Sequence, residues 1–110
     1  MRLATAAETD FDQILQWTAE SFGEDQAFVY AQTLLAALDA LKEGPTLTDV
    51  KTRDELSKGV LTLHAAGLGR KSRHFIVFRA ESDGDEKVIQ VLRILHDAMD
   101  LQRHLIPRRH

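Results

Sequence analysis

Arg93 is the residue whose surroundings most demand an explanation. It interrupts the apolar run Val88-Ile89-Gln90-Val91-Leu92-Arg93-Ile94-Leu95. A charge in such a strand must meet a partner or open onto a cleft. Two arrangements satisfy it. One is an ion pair with Asp97, Asp100 or an acid on a helix. The other is a basic site built with His74 and with Arg70, Lys71 or Arg73, suited to an acidic ligand or a phosphate. The segment Gly67-Leu68-Gly69-Arg70-Lys71-Ser72-Arg73 offers loop amides of the kind that bind anions. It lacks the G-x-x-x-x-G-K-S/T spacing of a nucleotide phosphate loop, and a strand follows it rather than a helix. His96, Asp100 and His104 are spaced by four and would share one helix face, a spacing that can hold a metal. Such residues more often lie on a solvated face, so neither metal nor cofactor is expected. His64 and His74 fall within strand patterns and read as packed or hydrogen-bonded. Trp17 and Tyr30 read as core or interface residues. No Ser-His-Asp or paired-carboxylate constellation stands out.

The elements that must position these residues follow from periodicity. Met1 to Ala4 is short enough for an edge strand. Thr5-Ala6-Ala7-Glu8 fits a capping box, after which Phe11, Ile14, Leu15, Thr18 and Phe22 form a helical stripe. Gly23 suits the end of that helix. A second pattern, Phe28, Ala31, Leu34, Leu35, Leu38 and Leu41, runs to Gly44-Pro45. With so short a joint the two helices should pack antiparallel. Thr46 to Gly59 is polar and irregular, with one possible helical turn at Thr52-Arg53-Asp54-Glu55. Strands are expected over Val60–His64, Arg73–Ala80 and Lys87–Leu95, and a short helix over Asp97–Leu105. Asp83-Gly84 is a favoured pair for a tight turn. A two-residue turn there places Phe78 opposite Ile89, Ile76 opposite Val91 and His74 opposite Arg93, with Phe75, Val77, Arg79, Leu92 and Ile94 on the other face. The result is an α+β fold: one domain over residues 1–110, in the order β-α-α-β-β-β plus a C-terminal helix, with an antiparallel helical hairpin on a small antiparallel sheet. The last two strands, apolar on both faces, should be central.

Composition narrows the function classes. The 110 residues carry no cysteine, which excludes disulfides and thiolate chemistry. The longest uncharged run, Gln26 to Leu38, is too short to span a bilayer. No secretory signal is visible, so a soluble cytoplasmic protein is expected. Net charge is −3, but residues 1–50 carry −7 and residues 51–110 carry +4. Such polarity suits an acidic partner for the basic half, or simply acid-bearing helices beside base-bearing strands.

The chain resembles the ParE/RelE toxin superfamily, and within it the ParE-type plasmid-stabilisation toxins. The likeness lies in Arg73-His74-Phe75-Ile76-Val77-Phe78-Arg79, in Val91-Leu92-Arg93-Ile94-Leu95-His96, and in Met99-Asp100-Leu101 with His104-Leu105. Ala7, Asp10, Ile14, Phe22-Gly23, Ala27, Tyr30, Leu41, Pro45, Arg53, Glu55, Leu56 and Gly59 match more loosely. Ser72 stands where the family usually has glycine. The resemblance implies the toxin of a type II toxin–antitoxin pair, bound in a hetero-oligomer by a ParD-like antitoxin and acting on DNA gyrase without catalysis of its own. The residues it would use on target or antitoxin are Arg70, Lys71, Arg73, His74, Arg79, Arg93 and His96. The alternative within the superfamily is a RelE-like ribosome-dependent mRNA endonuclease using Arg73, Arg79, Arg93 and His96. The C-terminal half has no tyrosine for that chemistry, although His96 is a possible substitute. A non-toxic binding module on the same scaffold is the third reading.

Overall fold

The protein is described by a computed structural model covering residues 1–41, 50–55, 58–65, 72–84 and 86–98. The elements run β1 (Arg2–Leu3), α1 (Thr5–Phe22), α2 (Glu24–Ala40), β2 (Val50–Thr52), β3 (Leu61–His64), β4 (His74–Asp83) and β5 (Glu86–His96). The five strands form one sheet in the order β1-β5-β4-β3-β2. The α+β hairpin-on-sheet architecture is as expected, and β4 and β5 are interior strands. Two details of the sheet differ. β1 pairs with β5 in parallel, so the sheet is mixed at that edge. Val50–Thr52, expected to be irregular, is a strand antiparallel to β3. Its three residues are too few to show an alternation, and the neighbouring strand creates it. Asp97 and Ala98 form a turn, and the rest of the expected C-terminal helix lies outside the described residues, as do Gly44-Pro45, Arg70 and Lys71. Among the described residues no helix is long and apolar enough to cross a membrane.

The hairpin hinges on a single residue. Gly23 closes α1 by donating its amide to the Ala19 carbonyl, and its own carbonyl accepts the Ala27 amide at the start of α2. Its φ of 95° is a conformation in which a side chain would be strained. At the other end of α1 the capping box does not form. Ala4 is the N-cap and no side chain caps the helix. The Ala4 amide bonds to the Val91 carbonyl at 2.8 Å while its carbonyl accepts from Ala7 and Glu8. The chain therefore passes straight from strand pairing into helix, and Thr5 is already helical.

The core lies between the hairpin and one sheet face. Ala7, Leu34, Ala37, Leu38 and Leu41 meet Leu63, Ile76, Phe78, Ile89, Val91 and Ile94 there, with Phe11, Ile14 and Tyr30 packed at the margin. A second, smaller cluster of Val60, Val77 and Leu95, with Phe75 and Leu92, occupies the other face.

The β4–β5 register departs from the expectation twice. Asp83 opposes Glu86 and Ala80 opposes Ile89, so the register is displaced by two residues from that of an Asp83-Gly84 turn. Gly84 takes φ of 66°, the left-handed geometry of such turns. This two-residue displacement keeps every side chain on its predicted face. A bulge then intervenes: Phe78 pairs with Val91 but Val77 pairs with Arg93, leaving Leu92 as the extra residue. Beyond the bulge the faces exchange. Ile94 joins Val91 on the helix side and Leu95 joins Leu92 on the other, and His74 opposes His96 rather than Arg93.

Candidate functional site

Arg93 follows the bulge, opposite Val77. Its guanidinium meets the carboxylate of Asp10 on α1 in a bidentate pair, Nε to Oδ2 at 2.7 Å and Nη2 to Oδ1 at 2.9 Å. Asp10 Oδ2 also accepts the Ile94 amide at 2.9 Å. Asp10 is therefore nearly buried yet fully occupied: one carboxylate neutralises a cation and takes a backbone donor on a strand edge that β1 does not reach. The hydrogen bond from Asp10 raises the Arg93 pKa further above its ordinary value, against an opposing contribution from burial. Of the two arrangements open to Arg93, the ion pair with a helix acid is the one formed.

Beside this pair runs a groove of about 380 Å³ between α1 and the end of β5. Asp10, Gln13, Ile14 and Trp17 line its helix side, and His74 with residues 93–96 line its sheet side. Apolar surface dominates it.

His74 is tied to α2. The Tyr30 hydroxyl lies 2.5 Å from His74 Nδ1 and 3.0 Å from the Ser72 hydroxyl, and it accepts the Arg73 amide at 3.2 Å. Burial first, and then the neighbouring His96, push the His74 pKa down to about 4. The ring is thus neutral at pH 7, and Nδ1 shares a hydrogen bond with the Tyr30 hydroxyl. The His74 amide in turn donates to Ser72 Oγ at 3.3 Å. Helix and sheet are stitched together through one phenol.

At the rim, Asp97 accepts from two side chains. Arg73 Nε lies 3.1 Å from both of its oxygens, and His64 Nε2 donates to Oδ2 at 3.0 Å. The His64 hydrogen bond, reinforced by Arg73, holds the Asp97 carboxyl below the usual carboxylate range despite an opposing effect of burial. His96 stands next to it, with Nδ1 accepting the Ala98 amide at 3.0 Å.

The structure thus brings His74, Arg93 and His96 to the groove and Arg73 to its rim. It does not bring Arg79 there. Arg79 lies opposite Gln90, and the alternation of β4 puts it on the sheet face of Val77, away from the hairpin. Among the described residues no group of three or more histidines and acids is placed to hold a metal. Three groove and rim residues, Asp10, Tyr30 and Asp97, were not singled out as site residues from the sequence. Asp10 had a legible signal: it occupies an inward step of the stripe Ala7, Asp10, Ile14, Thr18, where an acid is as anomalous as an arginine in an apolar strand.

The family described as "ParE toxin of type II toxin-antitoxin system, parDE" matches residues 1–101. Toxin ParE1 of Mycobacterium tuberculosis, in strains CDC 1551 / Oshkosh and ATCC 25618 / H37Rv, is 30% identical over 103 residues, covering 94% of each chain. The fold is shared with a chain of the structure titled "Chromosomal ParDE TA system from P. aeruginosa". That chain has a TM-score of 0.65 at 23% identity, covering 86% of this chain and 91% of the other.

Proposed function

We propose, given that this chain belongs to the ParE toxin family of type II toxin–antitoxin systems, that it acts by binding rather than by catalysis. It inhibits DNA gyrase in the cytoplasm and is neutralised by a ParD-like antitoxin. The observation that carries the non-catalytic reading is the state of the groove's cation. A ribonuclease needs a guanidinium or ammonium aimed at the charge that develops on a phosphorane, and a base placed to take the 2′ proton. Here Arg93 is held bidentate by Asp10. Arg73 is held by Asp97, and the Nδ1 atoms of His74 and His96 are both engaged within the chain. What the groove does present, Ile14, Trp17 and Ile94 beside polar rims, suits an apolar side chain of a polypeptide.

The test is a supercoiling assay with purified protein and gyrase. Supercoiling should fall with increasing protein and recover when a ParD-like antitoxin is added in stoichiometric amount. Undiminished supercoiling across a wide concentration range, with messages cut inside codons during growth arrest, would replace this reading with the RelE-like one.

A further inference from the structure

Helix α2 is apolar on two sides, and only one of them meets the core. Leu34, Ala37 and Leu38 pack inward. Phe28, Val29 and Leu35 are 65%, 51% and 54% exposed. At 3.6 residues per turn, Phe28 and Leu35 stack within about 20° of each other and about 120° around the helix from the centre of the buried stripe. Large apolar residues scattered singly need no explanation, but an aligned stripe on an already anchored helix marks a contact surface. None of its residues lines the groove.

We propose that this outer stripe of α2 docks an amphipathic helix of a partner protein whose flanks carry Lys and Arg. The argument for that occupant is charge. Helices α1 and α2 together hold Glu8, Asp12, Glu20, Glu24, Asp25 and Asp39, besides the Asp10 that Arg93 neutralises, and no Lys or Arg. Glu24 and Asp25 stand one turn before Phe28, at the N-terminal end of the stripe. A second copy of the chain would set one acid-only hairpin against another, and an anionic bilayer would be repelled in the same way. A helix with apolar residues at steps of three and four and basic flanks satisfies both the stripe and its rim. The inference does not depend on gyrase being the target.

The experiment uses the full chain and two labelled 14-residue helical peptides with one leucine stripe. One peptide has Lys/Arg flanks and the other has Glu flanks, and binding is read by fluorescence anisotropy. The basic peptide should bind at least about tenfold more tightly than the acidic one. The Phe28→Gln/Leu35→Gln double variant should weaken it by at least about tenfold. The Glu24→Gln/Asp25→Asn variant should weaken it a few-fold and flatten its salt dependence. All four side chains are exposed, so circular dichroism should show wild-type melting in both variants. The proposal is overturned if the two peptides bind alike, or if the Phe28/Leu35 variant binds the basic peptide as the wild type does. It is also overturned if sedimentation shows a wild-type dimer that this variant abolishes, since that would assign the stripe to a second copy.

Discussion

Two arginine–aspartate pairs lie at the same end of the sheet and do different work. Asp10–Arg93 joins residues 83 apart in sequence, with side chains only 10% and 29% exposed. Arg73–Asp97 joins residues 24 apart, and the Arg73 side chain is 70% exposed. In the first pair both carboxylate oxygens and a backbone amide are matched, so removing either partner strands a poorly solvated charge. In the second, water replaces whatever is lost. The comparison separates a pin that fixes helix α1 on strand β5 from a rim contact that can yield to a partner.

The largest effect should come from the pin. Asp10→Ala leaves Arg93 and the Ile94 amide without their acceptor and should destabilise the fold by about 3–5 kcal/mol in urea denaturation. A loss below about 1 kcal/mol would erase the distinction between the two pairs. Next comes the phenol between them. Tyr30→Phe keeps the ring but removes the hydroxyl from His74, Ser72 and the Arg73 amide. It should cost about 1–2 kcal/mol, read from the same transition.

A pH profile sharpens the picture at His74. Its folded-state pKa of about 4 lies below its ordinary 6.5. Between those values the unfolded chain binds a proton that the folded chain does not. Stability from this group is therefore complete above pH 6.5 and declines as pH falls towards 4. In His74→Asn the difference in urea midpoint between pH 7.5 and pH 5 should shrink, whereas an unchanged difference would mean that another group sets the slope. The smallest effect belongs to the rim. Arg73→Ala should move the melting temperature by less than about 4 °C, and by less still in high salt.

Most of the architecture could be read from local patterns. Gly23 marks the joint between the helices by its positive φ, and apolar residues on both faces of β4 and β5 mark them as interior strands. The core faces of Ile76, Phe78, Ile89 and Val91 were legible even with the turn misplaced, because a slip of two residues preserves the pleat. The bulge at Leu92 was not legible. Nothing in an apolar run announces an extra residue, yet it moves Ile94 to the helix side and sets Arg93 opposite Val77. The cap at Ala4 was likewise hidden, since it depends on β1 pairing with a strand nearly ninety residues away. Phe22, Phe28 and Leu35 have the right spacing for a core and are exposed, because periodicity identifies an apolar face without saying what covers it. The site was harder to read than the fold for the same reason: Asp10 and Arg93 each look anomalous alone, and only tertiary placement joins them.

The geometry commits Arg93 to Asp10. A double-mutant cycle of Asp10→Ala and Arg93→Ala, read by urea denaturation, tests that commitment most directly. The double variant should be no worse than the more damaging single one, with a coupling of at least about 2 kcal/mol. Costs that simply add, to within about 0.5 kcal/mol, would show the two side chains to be independent and return Arg93 to the list of residues available to a ligand.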